Sequence, residues 1–358
     1  MQYLMDLVNW LTNPPILFTV AIVAFFLALR TRWVWTNRFF IIWTSGLTLF
    51  FLVSLAHPHF REIVTKGDNI PIVIMVYAVS FFVWLGLKQA YENDERIARG
   101  EPPWEASFQG EKEYVWPDLV YIEFLSTLVV GLGLLVWSLF VPAPLEQPAD
   151  PTNSPNPSKA PWYFLGLQEM LVYYDPWIAG VLLPGLIIIG LMCIPYIDVN
   201  PRGNGYYTFR ERKAEITLYL FGFLILWCLL IFIGTFLRGP NWNFFGLYEE
   251  WDIHKVEPLT NVDLSEYFWI RLLGQPLPAQ WYVREAPGLV LVVLYLFGLP
   301  PLLAKTFLRR YYEKMGFIRY NIFVLLLLIM LSMPIKMYLR WLFNLKYIVH
   351  LQEFEFNI

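Results

Sequence analysis

Long apolar runs alternate with short polar connections along this chain. A membrane-spanning helix needs about 20 mainly apolar residues, and eight runs come within a few residues of that length. The first run is short, and the seventh contains Pro300 and Pro301. We therefore predict an all-α polytopic transmembrane protein with about eight spans. The runs cover residues 14–29, 39–56, 70–88, 118–141, 177–196, 214–237, 287–305 and 320–341.

A proline-dense segment, residues 142–176, separates the fourth run from the fifth. Seven of the 26 prolines lie between Pro142 and Pro161. Because proline lacks a backbone donor and restrains the residue before it, this part is neither an ordinary helix nor a strand in a ladder. The pattern predicts a loop at the membrane surface.

Residues 162–174 contain no proline and are rich in aromatic and aliphatic side chains, which predicts a short surface helix that ends at Asp175-Pro176. On a period of 3.6 residues, one side of this helix carries a carboxylate within an apolar stripe. Two interpretations stay open: a purely structural interfacial helix, and a helix that covers a site at the membrane edge. The stripe is formed by Trp162, Leu165, Glu169 and Val172.

Composition excludes a soluble globular protein. The 358 residues are 57% hydrophobic and 15% charged, and the mean hydropathy is +0.48. The sequence contains no Cys-x-x-Cys-His motif for c-type haem, and Cys193 and Cys228 lie in apolar runs, which favours buried small hydrophobic side chains over a disulfide or a metal pair. The start of the chain lacks the basic region of a cleaved signal peptide, so we expect the first run to be a retained span.

The placement of basic residues predicts the orientation. If residues 142–176 lie outside, 16 of the 26 Lys and Arg residues fall in or beside the inside connections. The positive-inside rule therefore predicts that both termini and residues 142–176 lie on the outer side. The charged inside stretch 89–117 is predicted to be a solvated face or a contact with a partner.

All four histidines fall in predicted outside loops or in the tail. A haem held between transmembrane helices needs two imidazoles that face one another from within the helices, so we expect that this chain does not hold such a haem alone. A metal site at the first two histidines would need further ligands, and we predict no metal site. The histidines are His57, His59, His254 and His350.

Five short motifs in register resemble the C-terminal half of cytochrome b, in the split form known as subunit IV of the cytochrome b6f complex. The resemblance spans about residues 117–240, and the family it indicates is all-helical and membrane-embedded. The motifs are WPDLVYI at 116–122, QPADP at 147–151, APWYF at 160–164, GVLL at 180–183 and IPYID at 194–198.

The resemblance implies a haem-free membrane subunit of a bc-type quinol oxidoreductase that is active only within its complex. In this family quinol is oxidised at the outer face, one electron passes to a Rieske 2Fe-2S protein and the other to haem b, and two protons leave to the outside. The expected partners are a haem-binding N-terminal cytochrome b half, the Rieske protein and a c-type cytochrome subunit, in a dimeric complex, with no nucleic acid. The expected location is a bacterial inner membrane, with the termini and residues 142–176 on the periplasmic side.

The family motif PEWY is matched at 160–163 with a departure. Trp162 and Tyr163 match its last two residues, whereas Ala160 and Pro161 stand where the family has proline and glutamate. Quinol oxidation needs a base that accepts a proton away from water. We predict that Glu169 supplies this carboxylate and that Tyr163 is the second catalytic residue, a phenol that contacts quinol; the alternative is that Glu169 points to water. The predicted outer quinol-binding residues are Ala160, Pro161, Trp162, Tyr163 and Leu165.

Glu123 lies about 1.5 helical turns inside the fourth run, where an ionised carboxylate is costly. In unsplit cytochrome b an acidic residue at the matching distance helps to line the inner quinone site, and the resemblance implies the same role for Glu123. The alternative is a side chain that reaches back to the membrane surface at the helix end.

The sequence divides into three predicted parts. Residues 1–116 are an N-terminal extension with about three transmembrane helices, residues 117–240 are the core with three, and residues 241–358 contain an outside loop, two further helices and a tail. Two other functions stay open. One is a purely structural anchor for redox partners, which the missing PEWY glutamate favours; the other is a proton or solute transporter subunit, which would carry more ionisable residues within its spans.

Overall fold

A computed structural model describes most of the chain. The proline-rich loop is described only in part, because residues 142–147 and 153 lie outside the described residues, as does Arg202 among the predicted inside charges. The described residues are 2–108, 112, 114–141, 148–152, 154–199, 207–257, 260–354 and 356–358.

The structure confirms an all-α polytopic protein. Seven helices of the described residues are long and apolar enough to cross a membrane, and a bent pair, Gln2–Leu11 with Pro14–Arg30, brings the number to eight if it is taken as one span. The seven helices are Asn37–Ser54, Ile70–Ala98, Val115–Phe140, Ile178–Ile197, Lys213–Leu237, Ala286–Lys305 and Arg309–Phe343.

Two of these helices extend well beyond the apolar runs. Ile70–Ala98 continues through the polar residues after 88, and it buries Asn93 and Asp94 there. Arg309–Phe343 begins before the apolar run at 320, with a break at Gly316, whose positive φ of 73° suits only glycine without strain.

Short elements connect the long helices. The short helices are Gln2–Leu11, Pro58–Thr65, Leu165–Met170, Leu264–Glu266 with its continuation Tyr267–Leu272, and Trp281–Arg284; single tight turns are Arg32–Trp35, Trp104–Phe108, Trp162–Phe164, Pro240–Trp242 and Gln352–Phe354. Near the C-terminus the strands His350–Leu351 and Phe356–Asn357 pair antiparallel, with His350 opposite Asn357 and Leu351 opposite Phe356.

The chain forms two compact units. The first unit contains Met1–Phe26, Asn156–Gly203 and Leu218–Ile358, and the second contains Leu27–Pro155 and Asn204–Thr217. The predicted three-part division concerns resemblance to other proteins, and it stays a prediction.

In the first unit, tyrosines tie the last two long helices together. Tyr320 is buried beside Val324 and Leu328. Its hydroxyl donates to the carbonyl of Pro300 at 2.9 Å, and the hydroxyl of Tyr295 donates to the carbonyl of Leu328 at 2.6 Å. Both phenols are therefore satisfied within the protein, as a membrane interior requires.

The first unit also contains a close helix crossing at two glycines. A Cβ added at Gly234 would lie 3.2 Å from the carbonyl oxygen of Leu165, and one added at Gly166 would lie 3.4 Å from a side-chain carbon of Ile231. The short helix Leu165–Met170 thus rests directly on the end of Lys213–Leu237, and small residues permit this approach.

In the second unit, Asn37–Ser54 and Ile70–Ala98 pack side by side. Phe40 stacks on Trp84 with ring centroids 4.2 Å apart, and the indole of Trp43 donates to Ser80 at 3.3 Å. The polar end of Ile70–Ala98 is held by Asn93, whose amide donates to Glu105 at 2.7 Å.

Candidate functional site

The predicted surface helix is shorter in the structure than in the sequence analysis. We call residues 160–174 the PWYF segment. It consists of a tight turn at Trp162–Phe164, the helix Leu165–Met170 and a second series of turns that ends at Tyr174. The predicted helix extended to 174, but the amides of Tyr173 and Tyr174 both donate to the carbonyl of Met170, which turns both tyrosine side chains into the protein.

The start of the PWYF segment is fixed by Gln168. Its side-chain carbonyl accepts from the amide of Ala160 at 2.8 Å, and its side-chain NH2 donates to the carbonyl of Ser158 at 2.9 Å. Just before the segment, the ammonium of Lys159 donates to the carbonyl of Thr235 at 2.7 Å. The loop is therefore tied both to its own helix and to the end of Lys213–Leu237.

Glu169 lies at the centre of the segment and has 0% exposure. Its Oε2 accepts from Nε of Arg238 at 2.9 Å, and its Oε1 accepts from Nη2 of Arg238 at 2.7 Å and from the hydroxyl of Tyr173 at 3.2 Å. A planar guanidinium that meets a carboxylate through two parallel bonds is the strongest common form of such a pair. Burial of this carboxylate is thus balanced by a full positive charge.

Arg238 is held on its other side by the tight hairpin that follows Lys213–Leu237. Its Nη1 donates to the carbonyl of Trp242 at 2.6 Å, and its guanidinium carbon lies 3.5 Å from the ring centroid of Phe244. The hairpin can close this tightly because Gly239 lacks a side chain: an added Cβ would lie 2.6 Å from the ring of Phe245. Contacts other than the one with Glu169 therefore also hold the guanidinium of Arg238 in position.

Two tyrosines join the PWYF segment to the last long helix. Tyr174 and Ser332 share a hydrogen bond of 2.7 Å between their hydroxyls, and Tyr173 packs edge-on against Trp341. Burial raises the pKa of both phenols, and the nearby Glu169 carboxylate raises that of Tyr173 further. Both tyrosines therefore stay protonated as hydrogen-bond donors across the physiological pH range.

Further basic side chains are buried near this junction. Lys336 is almost fully buried and donates to the carbonyl of Lys346 at 2.6 Å, and its ammonium lies 5.3 Å from the ring centroid of Tyr174. Arg340 is also buried, and it donates to the carbonyl of Asn344 at 3.3 Å. The PWYF segment thus lies beside further buried basic side chains besides Arg238.

The predicted outer-site residues lie within six positions of the chain, and they differ in exposure. Tyr163 is 49% exposed and Pro161 is exposed, while Ala160 and Trp162 are half-buried. Leu165 is buried against Gly234 and has no surface to offer a ligand. Glu169 does not point to water, because it is enclosed by Arg238 and Tyr173.

Glu123 belongs to the second unit. It is exposed in Val115–Phe140, a helix that buries none of its residues. Its backbone carbonyl accepts from the hydroxyl of Thr127 at 2.8 Å. Its predicted role at an inner quinone site stays a prediction.

The histidines lie outside all candidate spans. His350 contacts the carboxylate of Asp263 through Nδ1, and its amide donates to Glu285 at 3.0 Å. Within the described residues, no group of three or more His, Cys, Asp and Glu side chains is arranged to hold a metal ion. The two cysteines, Cys193 and Cys228, are free.

Sequence reasoning missed Arg238, Tyr173 and Ser332. Arg238 follows the apolar run 214–237 directly, at its predicted outer end, and so it runs against the positive-inside rule. A basic residue in that unfavourable place could have indicated a buried partner. Tyr173 and Ser332 carry no comparable signal, because a tyrosine near the end of a short helix and a serine within a long apolar helix are both common.

Comparison with known proteins finds a family similarity in the central part of the chain. The family model described as "Cytochrome b(C-terminal)/b6/petD" matches residues 148–248. The predicted family resemblance is confirmed. The matched segment, residues 148–248, includes the whole PWYF segment, Arg238 and the hairpin that holds it. No solved structure matches the chain.

Two curated relatives each match about a quarter of the chain. A protein of Geobacillus thermodenitrificans named menaquinol:cytochrome c reductase cytochrome c subunit is 33% identical over 101 residues, which are 27% of this chain and 40% of the relative. A protein of the same name from Bacillus subtilis (strain 168) is 31% identical over 100 residues, 26% of this chain and 38% of the relative. The chain thus spans about two fifths of the length of each relative.

Proposed function

We propose that this chain is a haem-free membrane subunit of a bc-type quinol oxidoreductase and forms part of its outer quinol-oxidation site. The observation that carries the proposal is the PWYF segment itself. It lies within the segment that the cytochrome b family model matches, and a buried ion pair holds it in one position at the end of a candidate span.

The proposed quinol contacts are the exposed residues of the PWYF segment. Tyr163 and Phe164 present aromatic surface at the edge of the segment, and the ring of Trp162 meets that of Tyr163 edge-on at 5.6 Å. Flat aromatic surface with one hydroxyl suits a quinol ring, which has apolar faces and polar edges. Ala160 and Pro161 complete this edge, and the buried side chain of Leu165 packs behind it against Gly234.

The proposed reaction is oxidation of quinol with release of protons to the outside. One electron passes to a Rieske 2Fe-2S protein and the other to haem b, and both groups belong to partner subunits, which also include a haem-binding cytochrome b half and a c-type cytochrome. The relatives' name points to menaquinol as the quinol to test first. The complex is proposed to be dimeric and to lie in the inner membrane, with the PWYF segment on the periplasmic side.

Glu169 enters this proposal as the carboxylate of the site. Its oxygens are occupied by Arg238 and Tyr173, so uptake of a quinol proton requires that this contact loosens. Glu169→Gln keeps the shape and removes the base. It is expected to slow quinol oxidation about 100-fold, the range of a lost general base. Normal turnover in a variant that still folds would remove Glu169 from the catalytic residues.

The experiment that tests the site uses Tyr163→Ala in the isolated complex, with quinol:cytochrome c reductase activity as the readout. Loss of an aromatic contact worth about 1 kcal/mol is expected to raise KM for quinol roughly five-fold. The matched control is Tyr196→Ala, because Tyr196 is also exposed and lies at the end of another candidate span. Equal KM values for the two variants would place the quinol elsewhere.

A further inference from the structure

The first helix of the chain runs across the direction of the span that follows it. Gln2–Leu11 and Pro14–Arg30 are bent by 78° relative to each other. Pro14 disfavours helical geometry at the residue before it, which explains why the helix breaks there. The hydroxyl of Thr12 closes the end of the first helix by donating to the carbonyl of Val8 at 3.0 Å.

The first helix presents a continuous exposed apolar face. With 3.6 residues per turn, five exposed apolar side chains fall within an arc of about 120°. None of them contacts enough of the described chain to be buried. They are Tyr3, Leu4, Leu7, Trp10 and Leu11.

The opposite side of the helix is fixed against the protein. Met5, Val8 and Asn9 are half-buried there. The side-chain carbonyl of Asn9 accepts from the amide of Tyr248 at 3.0 Å, and Gly246 leaves the space that Asn9 occupies. Rotation about the helix axis is therefore set within the first unit, and the apolar face has a defined direction.

The order of side chains around the helix matches a membrane–water boundary. Starting from the polar edge at Gln2 and Asp6, the next positions are the aromatic Tyr3 and Trp10, and after them come the leucines. Tyrosine and tryptophan prefer the headgroup level, and aliphatic side chains prefer the acyl chains below it. Successive sides of the helix thus suit water, the headgroups and the hydrocarbon in turn.

We propose that Gln2–Leu11 is an interfacial helix that binds the lipid surface of the membrane. The span that follows it also exposes apolar side chains, such as Val20 and Val23. Asp6 is its one charged side chain, so the binding rests on apolar area and aromatic residues and does not depend on anionic lipids. The proposal is independent of the redox function.

The test places nitroxide labels along the helix in the full chain, reconstituted in zwitterionic lipid bilayers. Cys193 and Cys228 are first replaced by alanine, and single substitutions such as Leu7→Cys and Asp6→Cys then carry the label. Collisions with oxygen report hydrocarbon, and collisions with a water-soluble nickel complex report water. Val23→Cys in the span is the reference for a label in lipid.

The proposal expects the oxygen-to-nickel ratio to vary with a period of 3.6 residues. The ratio should be several-fold higher at Leu4, Leu7 and Leu11 than at Gln2 and Asp6, and addition of anionic lipid should leave it unchanged. A flat profile with nickel access at every position would overturn the proposal in favour of a helix in water. Exclusion of both reagents at the leucines would also overturn it, because a protein partner would then cover the face.

Discussion

Glu169 has two carboxylate oxygens and three donors, and all three donors come from residues that the structure holds in place. Two are the guanidinium nitrogens of Arg238 and one is the hydroxyl of Tyr173. A buried ion pair of this kind does not by itself add much stability, but the loss of one partner leaves the other charge buried and uncompensated. The pair therefore determines where the PWYF segment can lie.

A double-mutant cycle tests this pair. Arg238→Leu is expected to lower the free energy of unfolding by about 3 to 5 kcal/mol, whereas combining it with Glu169→Met should restore most of that loss, because no buried charge remains. Unfolding can be followed by reaction of a thiol dye with Cys193 and Cys228. The control is the exposed pair of Arg309 and Glu313, where the same cycle should give less than about 1 kcal/mol.

Additive losses in the first cycle would mean that Glu169 and Arg238 contribute separately. The contact between their side chains would then not hold the PWYF segment.

The raised pKa of Tyr173 leads us to expect that the folded chain loses stability at alkaline pH. Its pKa in the folded chain is raised well above the usual 10.0, so between about pH 10 and the raised value the unfolded chain binds fewer protons than the folded one. The free energy of unfolding must then fall as pH rises above about 10, by up to about 1.4 kcal/mol per pH unit from this one group. Tyr173→Phe should show a shallower fall than the natural chain between pH 10 and 11.5; parallel curves would show that Tyr173 titrates normally.

The short helix Leu165–Met170 has its place because two backbones approach closely. Six residues cannot form a stable helix alone, and this one rests on Lys213–Leu237 at Gly166 and Gly234. The same contact buries Leu165. The element is thus specified by its neighbour more than by its own sequence.

Gly234→Val tests the crossing. The added side chain would push on the carbonyl of Leu165, already 3.2 Å from where its Cβ would lie, and is expected to cost about 1 to 3 kcal/mol of stability and to lower quinol oxidation. Gly185→Val is the control, because a Cβ there meets nothing within 4 Å in the first unit. Equal stability of the two variants would contradict the close crossing.

The positions of the long helices could be predicted from the sequence, but the residues at which they end could not. Runs of apolar residues reveal spans because the membrane imposes a length on them. The continuation of Ile70–Ala98 beyond the apolar run depends on Asn93, which reaches Glu105, and on Asp94, which accepts from the amide of Arg210. These partners lie 12 and 116 residues farther along the chain, and a polar stretch alone does not indicate them.

At the scale of the whole chain, the matched segment 148–248 depends on helices outside it. Tyr174 bonds to Ser332, and Tyr173 packs on Trp341, both from a helix that the family model does not cover. Phe18 of the N-terminal region packs on Trp341 as well, with ring centroids 5.6 Å apart. The additional helices of the first unit thus support the PWYF segment.

The candidate site was only half visible in the sequence. The aromatic edge at 160–164 could be identified because its motif is local, and Glu169 because a carboxylate interrupts an apolar stripe. Arg238 lies 69 residues beyond Glu169, and no local period connects them. The pairing follows from the fold of the first unit, which brings the end of one span to the surface helix of another loop.

The most direct test of the proposed function is a reduced-minus-oxidised optical spectrum. It is recorded on the chain purified gently with its partners, before and after addition of menaquinol, and again after the partners are stripped away. The account predicts a haem b signal that menaquinol produces in the complex and that is absent from the stripped chain. Haem b retained by the stripped chain, or no haem in either sample, would contradict it.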